Sequence, residues 1–172
     1  MNQWISKGEK AGSGVDRQMS SSEHGRVYLV GAGPGDPGLI TVRGFDLLKQ
    51  ADVVLYDFLV NPLILEPVPE TAEQICLGRH GRGRIWTQAE INQKMVDCAH
   101  QGKKIIRLKC GDPGVFGRLA EEVESLNAAG IAWEVVPGIS AALAAPSYAG
   151  VFMTHRKHAS AMAMVTGTSR KR

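Results

Sequence analysis

The sequence predicts an α/β fold, a mostly parallel five-stranded sheet with helices on both faces. Three observations predict it. Short runs that are apolar at consecutive positions, as in strands buried on both faces, recur along the chain. Stretches with helical spacing of apolar residues lie between them. Glycine-rich turns separate the two, so strand and helix alternate as in a doubly wound sheet. Hydrophobic residues make up 44% of 172, enough for one domain with its own core, which excludes disordered, collagen-like and disulfide-scaffold chains.

Residues 1–25 mix glycine, serine and charge without any period, and are expected to form a disordered arm. The pattern changes at Arg26, where 27–30 (Val-Tyr-Leu-Val) reads as a buried strand running into glycines. Thr41 is placed to cap a helix with Val42, Phe45, Leu47 and Leu48 mostly on one face. Residues 52–56 read as the second strand, which completes a β-α-β unit. Pro62, Pro67 and Pro69 break up the next segment, and 74–77 reads as the third strand. Thr87 and Glu90 make a capping box for a helix to about His100, with Ile91, Met95 and Ala99 along one stripe and Gly102 as its stop. There follow a strand over 103–108, a helix over 116–129 closed by Gly130, a strand over 131–136 and a small-residue helix over 139–148. Residues 161–165 are a candidate sixth strand. The domain is expected to span 26–167, with a basic tail at 168–172.

The formal net charge is +3, and Arg170, Lys171 and Arg172 account for it, so the part expected to fold is balanced. A balanced domain argues against a nucleic-acid partner, whose phosphates need cations spread over a folded face. Cys76, Cys98 and Cys110 fit neither a disulfide framework nor a paired metal site, which points to a reducing compartment. No apolar stretch approaches the roughly 20 residues that span a bilayer, so the chain is expected to be cytoplasmic with no membrane partner.

In open α/β sheets ligands bind beyond the carboxyl ends of the strands, so the loops leaving each strand are the place to look. Four are unusual: residues 31–38 (Gly-Ala-Gly-Pro-Gly-Asp-Pro-Gly), Tyr56-Asp57, residues 109–114 (Lys-Cys-Gly-Asp-Pro-Gly) and residues 136–141 (Val-Pro-Gly-Ile-Ser-Ala). A glycine-rich first loop invites a dinucleotide reading. Pro34 and Pro37 remove two N–H donors from it, however, and Asp36 puts a negative side chain where a diphosphate would lie. Taken alone, the loop is also compatible with a tight turn that binds nothing. Together the loops suit a flat, neutral or cationic ligand read by backbone groups.

The strings VYLVGAGPGDPGLIT, ADVVLYDFLV, RLKCGDPGVFGR and VVPGISAA resemble, in order and spacing, the signatures of the tetrapyrrole methylases. The Tyr-Asp-x-Leu-Val string is similar to that of the members that C-methylate uroporphyrinogen III to precorrin-2, on the way to siroheme or cobalamin. The resemblance implies S-adenosylmethionine as cofactor and, commonly, a homodimer. Carried over by motif, it places Pro34, Cys110, Gly111, Asp112, Val115, Ser140 and Ala141 at cofactor positions and Asp57 at the general base. On spacing alone Asp57 also reads as a helix cap or a solvated acid. Arg79 stands where the family carries a lysine in Gly-Lys-Arg, a catalytic and substrate-binding position; it keeps the charge, but guanidinium does not shuttle protons.

Arg79, Arg82 and Arg84 concentrate positive charge over 79–84, either to grip the carboxylates of such a substrate or as solvated surface. His155, Arg156 and His158 read as substrate-side or surface residues, and no metal site is expected, because the two histidines lack a third ligand at matching spacing. Cys110 stands for the family's first glycine in Gly-Gly-Asp-Pro, Gly114 for an aromatic residue, and Leu119-Ala120 for Gly-Gly. Family members continue for about another domain beyond Thr166-Gly167, so a chain of this length is expected to lack part of the cofactor cleft. The sequence therefore supports a methyltransferase first, a non-catalytic tetrapyrrole-binding or assembly module second, and a dinucleotide-dependent oxidoreductase least.

Overall fold

The structure is a computed structural model and describes residues 24–78 and 85–167. The expected tail at 168–172 and all but His24 and Gly25 of the expected arm lie outside the described residues. Among the described residues five strands form one sheet: β1 (Arg26–Gly31), β2 (Val53–Tyr56), β3 (Glu73–Cys76), β4 (Lys104–Lys109) and β5 (Ala132–Val136). Their order is β3-β2-β4-β1-β5, and every neighbouring pair is parallel. The described residues also form four α-helices: α1 (Val42–Leu48), α2 (Gln88–His100), α3 (Leu119–Ala128) and α4 (Ala141–Tyr148). The α/β class and the five parallel strands match the expectation.

Side chains alternate along each strand, so the sheet presents two buried faces. Val27, Leu29, Val53, Leu55 and Ile105 pack with Ile91, Met95 and Ala99 of α2 and Leu126 of α3. On the other face Tyr28, Val30, Val54, Ile106 and Leu108 pack with Leu47 and Leu48 of α1 and with Ile64 of the short 3₁₀ turn Pro62–Leu65. The capping box forms as expected: the Thr87 hydroxyl accepts from the Glu90 N–H, and the Glu90 carboxylate accepts from the Thr87 N–H at 2.8 Å. His24 stacks edge-on against His100, and the Gly25 N–H donates to the Ala99 carbonyl, which fastens the start of the described chain to the end of α2.

Three local expectations are corrected. The buried stripe of α1 is Gly44, Leu47 and Leu48, whereas Val42 and Phe45 are exposed. Spacing of three and four residues from Gly44 fixes that stripe, and Phe45 instead lies under the Lys49 ammonium one turn on, at 4.3 Å. The helix expected from residue 116 starts at Leu119, because Phe116 and Arg118 adopt left-handed backbone, with φ of 55° and 54°. Residues 161–165 pair with no strand among the described residues and are exposed.

Thr87→Ala removes the cap of α2 and should lower the free energy of unfolding by about 1 kcal/mol. Urea denaturation followed by circular dichroism measures it, with an unchanged denaturant slope expected.

Candidate active site at the carboxyl rim of the sheet

Because every strand is parallel, the carboxyl ends of all five share one rim, and the four unusual loops leave from it. The chain leaves β1 toward the helix on one face and leaves β4 toward the helices on the other. The crevice between β1 and β4 is therefore the place where the topology opens the rim to a ligand. Here three loops meet backbone to backbone. Gly33 and Gly111 form an antiparallel bridge, N to O at 3.1 and 2.8 Å. A Cβ on Gly138 would stand 2.3 Å from the Gly111 carbonyl oxygen, and one on Gly31 would stand 2.6 Å from the Gly138 Cα, so no side chain fits at either position.

Side chains lash these loops together. Asp112 accepts from the Gly114 N–H at 2.8 Å and from the Gly138 N–H at 3.0 Å, joining the third loop to the fourth. Asn61 donates to the Gly35 carbonyl at 2.8 Å, and the Tyr148 hydroxyl donates to Asp36 at 3.0 Å, anchoring the middle of the first loop from two sides. Ser140, buried, caps α4 by accepting from the Ala142 N–H at 3.3 Å. Pro34, Cys110, Gly111, Asp112, Val115, Ser140 and Ala141 thus fall on loops that converge at one rim. Both oxygens of Asp112 are spent on loop contacts, so its part is to hold the seat in shape. An apolar cleft of about 300 Å³ opens beside the first loop, lined by Leu39, Ile139, Leu143, Ala144, Ser147 and Tyr148.

Asp57 ends β2 and is half-buried. The Arg107 Nη2 lies 2.6 Å from its Oδ1, and its Oδ2 accepts a long hydrogen bond, 3.4 Å, from the Cys110 N–H. Arg107 belongs to a buried charge network. Its Nε donates to Glu122 Oε1 at 2.9 Å, and the Lys109 ammonium donates to Glu122 Oε2 at 2.7 Å. Burial first, and then the Arg107 charge, lowers the Lys109 pKa, with Glu122 opposing. A cavity of about 260 Å³ opens onto Asp57, Arg107 and Lys109, and Gln88, Phe116 and Arg118 also line it. The two left-handed residues, Phe116 and Arg118, are thus placed at this cavity, where backbone strain of about 1–3 kcal/mol per residue is commonly stored.

The sequence reading missed Arg107, Lys109 and Glu122. A signal existed: Arg107 and Lys109 alternate with Ile106 and Leu108, so two cations share one face of a strand otherwise built for burial, and such a face requires a buried acid. His155 and Arg156 lie elsewhere, in an exposed turn over 155–159 whose cavity is lined by Thr154, His155, Arg156, Ala159 and Ser160. His158 stacks on His155 there, with ring centroids 4.5 Å apart. Arg79, Arg82 and Arg84 lie outside the described residues. Among the described residues no cluster of three His, Cys, Asp or Glu is placed to hold a metal ion, and no helix is long and apolar enough to cross a membrane.

The family model described as tetrapyrrole (corrin/porphyrin) methylases matches residues 26–172. The chain belongs to the tetrapyrrole methylase family. It is similar to the siroheme synthase of Sodalis glossinidius (strain morsitans), 50% identical over 161 residues that make up 92% of this chain and 34% of that protein. It is also similar to the crystal structure of uroporphyrin-III C-methyltransferase from Thermus thermophilus complexed with S-adenyl homocysteine. There the TM-score is 0.68 at 44% identity, over 80% of this chain and 57% of that one. A cobalt precorrin-4 methyltransferase structure gives a TM-score of 0.68 at 36% identity, over 77% of this chain and 53% of that one. The chain spans about a third of the length of the siroheme synthases it matches, and a little over half of these solved methyltransferase chains.

Cys110 is accommodated within this tetrapyrrole methylase fold. Its side chain packs against the core on the α1 face, so it adds bulk behind the loop. Burial, and then the Asp57 charge, pushes its thiol pKa up.

Gly138→Ala should break the contact among the three loops. Overpacking of this kind costs about 1–3 kcal/mol. A thermal melt should show the loss, and an unchanged melting temperature would mean that the loops are not in backbone contact.

Proposed function

We propose that the chain forms the donor-binding and proton-accepting part of a uroporphyrinogen-III C-methyltransferase, which uses S-adenosylmethionine to make precorrin-2 for siroheme or cobalamin synthesis. The observation that carries this reading is the convergence of three glycine loops at one rim with the Asp57 carboxylate at the end of the adjacent strand. The similarity to the Thermus enzyme complexed with S-adenyl homocysteine supports it.

The residues present fit such a cofactor. Backbone edges and the small groups of Gly111, Ser140 and Ala141 admit a flat ring closely, the apolar cleft lies alongside, and the acids Asp57 and Asp112 carry the sign that a sulfonium favours. When bound, S-adenosylmethionine supplies a methyl group on a positively charged sulfur, an electrophile for the pyrrole carbon. The chain supplies orientation and a proton acceptor. Pro34, Cys110, Gly111, Val115, Ser140 and Ala141 would hold the cofactor at the rim, while Asp112 keeps the loops in register. Fixing two reactants in line removes much of the entropic barrier to transfer. Asp57, held on one side by Arg107, would accept the proton that the methylated tetrapyrrole sheds. We assign Arg79, Arg82 and Arg84, with His155 and Arg156, to the carboxylates of the substrate, whose negative charge calls for such cations. The reading includes a homodimer in the cytoplasm.

The test is incubation of the protein with S-adenosylmethionine and enzymatically prepared uroporphyrinogen III, followed by the absorbance of methylated product. Retained tetrapyrrole binding without product at high protein concentration would leave a binding module in place of an enzyme. Asp57→Asn should lower the rate by about 10²- to 10⁴-fold, as is typical for loss of a general base, with cofactor affinity unchanged by calorimetry. Arg82→Ala should raise the KM for the tetrapyrrole and leave kcat alone, the signature of lost uniform binding; an unaltered KM would return the 79–84 run to plain surface charge.

A further inference from the structure

Glu122 has no exposed surface, although it is a carboxylate on an amphipathic helix whose other acids, Glu121 and Glu124, face outward. Burial of a charge costs several kcal/mol unless it is paired and hydrogen-bonded. Here both oxygens are paired, Oε1 with Arg107 Nε at 2.9 Å and Oε2 with the Lys109 ammonium at 2.7 Å, and Gln88 Nε2 approaches Oε1 at 3.4 Å. Arg107 is fixed at every corner. Nε goes to Glu122, Nη1 donates to the Leu108 carbonyl at 3.2 Å, and Nη2 lies 2.6 Å from Asp57 Oδ1. Among these groups Asp57 is the most exposed, at 34%, whereas Arg107, Lys109 and Glu122 are at 4% or less. The arrangement is a rigid buried brace that ends on one accessible carboxylate.

We infer that Glu122 is a positioning residue for Asp57, acting through the Arg107 guanidinium. The inference rests on the reading of Asp57 as proton acceptor. Glu122 is anchored in α3 and Arg107 in β4, both against the core, so the direction of Nη2 is set from behind and does not depend on anything bound at the rim. A planar guanidinium held at Nε and Nη1 has one remaining orientation for Nη2, which fixes where Oδ1 sits. The rival role for Glu122 is to neutralise Lys109 and no more.

Two variants of the full chain separate these roles. Glu122→Gln keeps the shape and removes the charge. Glu122→Met combined with Lys109→Met removes anion and cation together, so that no charge is orphaned if the first variant folds poorly. In both, kcat for methyl transfer to uroporphyrinogen III should fall by about 10- to 100-fold, the scale of a misplaced catalytic group, with the KM for S-adenosylmethionine unchanged. In an Asp57→Asn background Glu122→Gln should cost nothing further, because its effect runs through Asp57. The Cys110 amide reports the same point without turnover: its N–H bonds to Asp57 Oδ2, so its ¹H–¹⁵N resonance should move in both Glu122 variants and in the direction seen for Asp57→Asn.

Full kcat in the doubly substituted variant, an equal loss in the Asp57→Asn background, or an unmoved Cys110 resonance would each overturn the inference. Failure of the underlying reading looks different. In that case the unsubstituted protein makes no product, or Asp57→Asn alone leaves the rate intact.

Discussion

The site depends on one contact, in which the backbones of three loops meet with no side chain between them. Gly31 and Gly138 sit so close to each other and to the Gly111 carbonyl that a methyl group added to either would meet main-chain atoms at 2.6 and 2.3 Å. That approach is possible because β4, β1 and β5 are consecutive in the sheet and parallel, so their ends arrive side by side. Sequence distance is irrelevant here, and sheet order decides. The Asp112 carboxylate then converts proximity into register, because each of its oxygens holds an amide from a different loop.

The second half of the site is built on the opposite principle. Where the loops exclude side chains, the end of β4 buries two cations and secures them with a fully buried acid from α3. Removing one partner of such a pair typically costs about 3–5 kcal/mol, since the other is left charged in a poor solvent. Well-packed apolar residues would give the same fold at no such cost. The charges are therefore better explained by what they hold, and what they hold is Asp57 at the mouth of a cavity. Stability and site geometry are here the same set of bonds.

Much of this was legible in the sequence because it depends on local chemistry. Thr87 with Glu90, Thr41 before α1 and Gly130 after α3 are capping signals that act within one helical turn, and the helices follow them. Strand-end loops were legible because parallel topology puts them on one rim regardless of detail. What escaped notice depends on distant partners. Val42 and Phe45 read as core, yet the stripe that reaches the sheet runs through Gly44, which only its neighbour Val30 explains. Residues 116–118 read as helix, yet Phe116 and Arg118 are left-handed on either side of Gly117, where a Cβ would stand 2.5 Å from the Pro113 carbonyl oxygen. Arg107 and Glu122 are fifteen residues apart, and no period links a strand position to a helix position.

Cys110 and Gly114, both in the third loop, face different surroundings. Cys110 continues the alternation of Ile106 and Leu108, so its side chain belongs to the core face, and its cost is the small one of filling space behind the loop. Gly114 lies at the open end of the loop, where the Asp112 carboxylate stands 3.2 Å from where its Cβ would be. An aromatic side chain at Gly114 would therefore have to point out from the loop, over the cavity that Phe116, Leu119 and Trp133 now line. Phe116, exposed and held left-handed two residues on, presents a ring to that same space.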